Sequence, residues 1–433
     1  MIKVKHILFL LLFLVLSSTQ LYSNTINNTP LVNPFPSEEN LNNFEKVDSL
    51  NLYNENELDN IEISLITIAP GDPIYGWFGH SAILVQQKDQ SSIIYDYGIF
   101  SFNSKNFYKN FIMGKMYYLL MPSLENQRLS LPKEDDRTIN KVVLNISDKN
   151  KVNIINFLNF NSQDENNTYL YDFYIDNCAT RIRDIFNWIS DDDFKTWAQN
   201  QYTPFTFRIL STEQLDKSLA INWVLNSFLG SDCDKPTSTW ENMFAPHYLE
   251  QAVIDYQKFN TDISKIYESE SASTFDNEYE ITHHLLFYAF IGLILGLIGL
   301  SFKQLKQDKK SRIFGIYNSV LTLFLLIISG CITFLMFFSH IQFAWNNENI
   351  LFLNPLFCGI LFISSLSTIK KKKRSTRNLI IYERLCNVYS LYLMVFIIVK
   401  VIYSDIFIQQ NFIIIIPILL FFFVQSFILF TRR

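Results

Sequence analysis

The sequence predicts an α+β domain outside the cytoplasm, followed by an all-α bundle of five transmembrane helices. Three observations predict it. Strand candidates rich in β-branched residues come first and helical stretches follow, which is not the alternating βαβ order of a doubly wound sheet. Five apolar stretches of 18 to 27 residues fill the last third of the chain, each long enough to cross a hydrocarbon core of about 30 Å. Lys and Arg gather in alternate loops between those stretches, the positive-inside pattern.

Residues 1–23 have the form of a signal peptide. Lys3 and Lys5 precede the apolar run Ile7 to Leu16, and small polar residues lead to Ser23. The apolar run is too short for a span, so a cleaved signal is expected, with an uncleaved anchor as the alternative. Residues 24–60 are rich in Asn, Pro and Glu with little periodicity and read as an extended leader or a short exposed helix. A polar domain is expected over residues 61–282. Ile61 to Ala69 is its first strand, Pro70 to Gly79 a turn-rich loop, and Ser81 to Gln87 with Ile93 to Tyr97 a hairpin. Val142 to Ile146 adds a strand, Val152 to Phe160 a short amphipathic helix, and residues 190–260 read as helical and irregular.

The membrane region is expected over residues 283–433, with spans Leu285–Phe302, Ile313–Ser339, Leu351–Ile369, Tyr382–Tyr403 and Phe412–Phe430. Loop 303–312 carries Lys303, Lys306, Lys309, Lys310 and Arg312, and loop 370–377 carries four lysines, Arg374 and Arg377. The chain ends in Arg432 and Arg433, while loops 340–350 and 404–411 hold no Lys or Arg. This pattern sets the C-terminus in the cytoplasm and, with five spans, the polar domain outside it. The formal net charge of −5 gives no reason to expect nucleic-acid binding. Five cysteines without CxxC or Cys/His metal spacing argue for neither metal nor cofactor. Asp232 and Asp234 lack further ligands, and a Cys178–Cys233 disulfide is left open for an oxidising compartment.

The chemistry concentrates in Tyr171 to Asp184. Asn177 suits a helix cap, Cys178 opens the helix, and Ile182, Ile185 and Ile189 give it one apolar face. A thiol in the first turn feels the positive end of the helix dipole, which favours thiolate. His80, in Gly79-His80-Ser81-Ala82 at the entry to a strand, is the candidate base. Asp96 and Tyr97, on the next strand, are candidates to orient it. Alternation sends these two to opposite faces, so only one serves, and Asp96 is the better suited. Backbone N–H groups near Cys178 are the expected oxyanion donors. Lone Cys and His residues are weak signals, and a structural thiol stays open on this pattern alone.

His80 and the Asn177-Cys178 pair together resemble the circularly permuted NlpC/P60-like thiol proteins, whose relatives include the lecithin:retinol acyltransferase group. More closely, the chain resembles the Lnb family of Bacteroidota. The matching pieces are Trp77–Ala82, Tyr95–Gly98, Asp176–Asp184, Thr206–Arg208, Leu229–Asp234, Met243–Pro246 and His340 through Pro355, so the similarity covers roughly residues 60 to 360. Ala179 and Ala245 depart from the expected pattern, where a hydroxyl and a larger apolar residue would stand.

The resemblance implies a lipoprotein N-acyltransferase in the inner membrane, with its catalytic domain in the periplasm and no cofactor. Its acyl donor would be a membrane phospholipid and its acceptor a diacylated lipoprotein. Cys178 would form a thioester, with His80 as base and Asp96 behind it. Asn177, Arg181, Arg208, Trp77 and His340 are candidates for substrate contact, the arginines because guanidinium suits phosphate. Arg183 and Asp184 read as a solvated charge pair on the helix. Trp77, Phe78 and the aromatics of 97–118 would keep water from the thioester, with core packing as the bland alternative. Two other readings remain: a membrane-anchored cysteine hydrolase of peptidoglycan or peptides, and a non-enzymatic assembly or sensor protein. The sequence gives no oligomeric state.

Overall fold

The computed structural model describes residues 61–72, 76–88, 90–101, 106–215, 217–271, 281–302, 307–369 and 372–426. The expected signal segment, leader and final arginines lie outside these residues. Two compact units divide them, one formed by 61–215 with 236–271, the other by 217–235 with 281–426.

The first unit begins with strands β1 (Ile61–Ile68), β2 (His80–Gln87) and β3 (Ile93–Ile99). A short helix α1 (Phe107–Met113) leads to β4 (Tyr117–Leu124), α2 (Glu125–Glu134), β5 (Ile139–Leu144), α3 (Asp148–Asn161) and β6 (Thr168–Leu170). Then come the cysteine helix α4 (Cys178–Ile189), α5 (Asp193–Gln199), β7 (Tyr202–Thr206) and α6 (Phe207–Leu215). Helix α7 (Leu219–Phe228) belongs to the second unit, after which the first resumes with β8 (Pro236–Ser238), α8 (Thr239–Asn242), α9 (Pro246–Asp255) and β9 (Thr261–Tyr267).

Seven strands form one sheet in the order β6-β4-β3-β2-β1-β5-β9, each neighbouring pair antiparallel. Alternation assigns the two faces. Ile63, Leu65, Ile83, Tyr95 and Tyr97 join the main core with Ile182, Ile185 and Phe186 of α4. Ile66, Ile68, Ala82, Leu84 and Ile94 face the other way, onto Leu129 of α2. Both faces of the central strands are therefore covered, and β1 is buried along its length except at Glu62. Each fully buried Ile or Phe of α4 contributes roughly 1.5–3 kcal/mol.

The second unit contains α10 (Ile281–Phe302), α11 (Gln307–Phe338), α12 (Pro355–Ser367), α13 (Lys372–Ile402) and α14 (Phe412–Ser426). Among the described residues, three helical stretches are long and apolar enough to span a membrane: His284–Phe302, Arg312–Phe338 and Arg377–Ile402. The third span expected from sequence is instead broken. A 3-10 segment ending at Leu351 meets α12 at a 52° bend, and the two count as a fourth span only if taken together. The break follows from Asn354-Pro355: Pro355 starts a new helix, and Asn354 caps it by accepting from the Phe357 N–H at 3.0 Å. Helix α14 runs for 15 described residues, and the expected end of that span at Phe430 lies outside them. Five spans are therefore not reached among the described residues.

Two polar features anchor this unit. Pro417 has no N–H, which leaves the Ile413 carbonyl four residues back without its helical partner. Trp223 of α7 donates to that carbonyl at 3.0 Å. Lys400, inside an apolar helix, pairs at 2.6 Å with Glu348, and both are buried; an ionisable group at such depth requires a partner of this kind.

Candidate active site

Helix α4 starts where it does because Asn177 caps it. The Asn177 side-chain oxygen accepts from the backbone N–H groups of Ala179 (2.8 Å) and Thr180 (3.0 Å), and the Thr180 hydroxyl accepts from the Asn177 N–H (2.7 Å). The Asn177 amide also donates to the Phe173 and Phe244 carbonyls, at 2.7 and 2.9 Å. This leaves the Cys178 N–H as the helix-terminus donor beside the sulfur. Cys178 is half-buried and unbridged.

His80 enters from the first residue of β2. Gly79 before it has φ +73°, and a Cβ there would lie 2.8 Å from the Ile68 carbonyl oxygen, so the turn that delivers His80 demands glycine. The His80 Nε2 lies 2.5 Å from Asp96 Oδ1. With Nε2 held by the carboxylate, Nδ1 is the ring nitrogen left for Cys178, whose sulfur hydrogen-bonds the imidazole and the Ser81 backbone N–H. Gly98 closes the site. It lies at a register shift in β3 with φ +93°, and a Cβ there would stand 3.7 Å from both Cys178 Cβ and His80 Cε1.

Electrostatics favour the ion pair. Burial opposes a charged His80, but the Asp96 carboxylate and Cys178 outweigh it and raise the imidazole to about 10. Burial likewise opposes a thiolate, yet the His80 charge and hydrogen bond, with the Ser81 N–H, bring Cys178 below the ordinary thiol value. Asp96 is 1% exposed. Burial would raise it, but His80 and Arg128 hold it below the usual carboxylate range. The arrangement can present a thiolate to a carbonyl carbon, with an acid beside it for the leaving group.

The other sequence candidates take varied positions. Asp96 reaches His80, whereas Tyr97 turns to the opposite face and donates to Asn161 at 2.6 Å. Trp77 is buried and donates to the Asp72 carbonyl at 2.8 Å. The Arg181 guanidinium is buried, bidentate to Asp176 at 2.6 and 2.8 Å, and lies 3.8 Å over the Tyr169 ring. It is thus engaged in a structural pair. Arg183 and Asp184 are not solvated helix charges: both are buried, 2.8 Å apart, with Arg183 4.0 Å over the Trp240 ring. Arg208 is buried within α6. His340 is exposed and belongs to the second unit. Among the described residues no group of three His, Cys, Asp or Glu could hold a metal ion.

Arg128 of α2, which binds Asp96 through its Nε, escaped sequence reading. A lone arginine 32 positions after its partner carries no local signal. Tyr118, Tyr171 and Cys178 all pack against the main core; burial first, and the charge of Cys178 second, raise the two tyrosine hydroxyls, Tyr118 to about 12.

Residues 49–213 match the family model of the Lnb N-terminal periplasmic domain. No curated protein and no solved structure matches the chain.

Proposed function

Through residues 49–213 the chain belongs to the Lnb family, and from that premise we propose that it is a lipoprotein N-acyltransferase. The observation that carries this reading is the Cys178–His80–Asp96 arrangement at the start of α4, in a periplasmic domain whose chain continues into apolar helices long enough to span a membrane.

In the first half-reaction the Cys178 thiolate attacks the ester carbonyl carbon of a glycerolipid. Charge moves to the carbonyl oxygen, where the Cys178 N–H is the nearest helix-terminus donor. The carbon–oxygen bond to glycerol then breaks, His80 gives its proton to the departing oxygen, and a thioester remains on Cys178. In the second half-reaction the neutral α-amine of a lipoprotein's N-terminal diacylglyceryl-cysteine attacks that thioester. His80 takes a proton from the amine, the carbon–sulfur bond breaks, and an amide forms as the thiolate returns. An unperturbed α-amine has a pKa near 8, so a useful fraction is neutral at physiological pH.

A histidine on a strand that precedes a cysteine helix is also the order expected of a permuted NlpC/P60-like domain, and this fold assignment is part of the same reading. So are the inner membrane and a cytoplasmic C-terminus, for which the loop charges argue. Mass spectrometry of lipoprotein N-termini, in otherwise identical cells with and without the protein, tests the proposal. Loss of the N-acyl chain in its absence is expected. Triacylated lipoproteins persisting there, with no other enzyme active, would contradict it, and water in place of the amine would make the protein a hydrolase.

A further inference from the structure

Helix α1 buries none of its seven residues, although Phe, Tyr, Ile and Met make up most of it. Tyr108 is 74% exposed, Phe111 57% and Ile112 50%, and exposed Tyr117 and Met121 follow on β4. Large apolar side chains gathered on a surface mark an interaction site. The charges around them select the partner. Residues 106–118 contain Lys109 and Lys115 and no acidic residue. Aromatic rings flanked by lysines suit the boundary between phosphate headgroups and acyl chains, where the rings enter the apolar layer and the ammonium groups stay with the phosphates.

Rings also connect α1 to the candidate active site. Phe111 stacks on Phe107 with centroids 6.3 Å apart, Phe107 on Phe100 at 6.2 Å, Phe100 on Tyr118 at 4.8 Å and Tyr118 on Tyr171 at 4.3 Å. Tyr118 also meets Tyr169 edge-on at 6.4 Å, and the Tyr169 hydroxyl and the Cys178 Cβ stand 3.9 and 3.7 Å from the Cβ position of Gly98. The run therefore starts at an exposed apolar helix and finishes beside the nucleophile.

We propose that α1 enters the periplasmic leaflet of the membrane, and that the rings from Phe111 to Tyr171 line the path by which one phospholipid acyl chain reaches Cys178. The chain's fate rests on the acyltransferase reading; the membrane contact does not. An ester carbonyl carried to the sulfur along an apolar wall arrives with little water around it, which suits a thioester that must outlast hydrolysis.

The test uses the full-length protein in vesicles of phosphatidylethanolamine and phosphatidylglycerol. Photoreactive benzoylphenylalanine replaces Ile112 in one sample and Ile263 in another; Ile263 is similarly exposed, on the edge strand β9. Cross-linking to phospholipid at 112, about tenfold above that at 263, is expected for an interfacial helix. No excess at 112, or preferential cross-linking to an added diacylated lipopeptide, overturns the proposal. Phe111→Glu with Ile112→Glu supplies the second arm, since neither side chain is buried. Thioester formation on Cys178 from vesicle phospholipid should fall about tenfold or more, while alkylation by water-soluble iodoacetamide stays near the native rate. Unchanged thioester formation overturns the path. Lipid cross-linking at 112 without any thioester in the native protein would remove the acyltransferase reading and leave the membrane contact standing.

Discussion

Arg128 donates to Asp96 through the carboxylate oxygen that His80 does not use. One carboxylate is thereby held from both sides, and its orientation toward the imidazole does not depend on the imidazole alone. Arg128→Met should lower acyl transfer by about tenfold, as expected when a supporting partner is lost and the catalytic groups remain. Removing the cation lets the Asp96 pKa rise, so the acid limb of the pH–rate profile should move to higher pH. Arg128→Lys should recover part of both effects. An unchanged profile in Arg128→Met would make this arginine merely a packing residue.

Asp96→Asn should cost more, on the order of 10²–10⁴ in rate. The carboxylate raises His80 and fixes its tautomer, so its loss should also shift the alkaline limb of the profile toward lower pH. A rate measurement across the pH range checks both. A full-rate Asp96→Asn protein would remove Asp96 from the catalytic group.

The thiol should titrate below an ordinary cysteine. Its alkylation rate should reach its plateau at a lower pH than that of an ordinary cysteine, and fall as the pH drops through the lowered value. Stability should follow the same groups. The raised pKa of His80 makes its contribution complete below about pH 6.5, and that contribution is lost as pH rises through about 10. Asp96, with a lowered pKa, contributes above about pH 3.9 and loses this as pH falls through its folded value. The difference in unfolding midpoint between the native protein and His80→Gln should therefore narrow at strongly alkaline pH.

Arg181 separates a structural from a lipid-binding role. Its partner Asp176 is 1% exposed, and burial lifts that carboxyl to about 6 even with Arg181 drawing it down. Arg181→Met removes the bidentate guanidinium from a buried carboxylate, a loss of about 3–5 kcal/mol. A lower thermal unfolding midpoint is expected, partly restored by adding Asp176→Leu. A stable variant with altered donor-lipid preference would instead place Arg181 in lipid binding.

Much of the sheet was legible because β1, β2 and β3 carry local patterns, alternation and turn residues that need no tertiary context. The start of α4 was legible for the same reason: capping by Asn177 is a local event. Strand β4, interrupted by Pro122, and the three-residue β6 exist through pairing with neighbours, which no local window contains. The Asp96-over-Tyr97 choice followed from alternation and the carboxylate's chemistry. Arg128 did not, because its place beside Asp96 depends on how α2 lies on the sheet. Asn354-Pro355 was visible, yet the apolar residues around it masked its effect on the span. The buried Arg183–Asp184 pair was hidden by a habit of composition, since adjacent charges on a helix usually face water.

The central claim is that Cys178 becomes a thioester. The full-length protein, incubated with a phospholipid labelled in its acyl chains and quenched in acid, should carry the label on the peptide containing Cys178. The label should be released by neutral hydroxylamine, passed to an added diacylated lipopeptide as an amide, and absent from Cys178→Ala. Acyl transfer persisting in Cys178→Ala, or label transferred to the amine with no thioester trapped under any quench, would contradict the account.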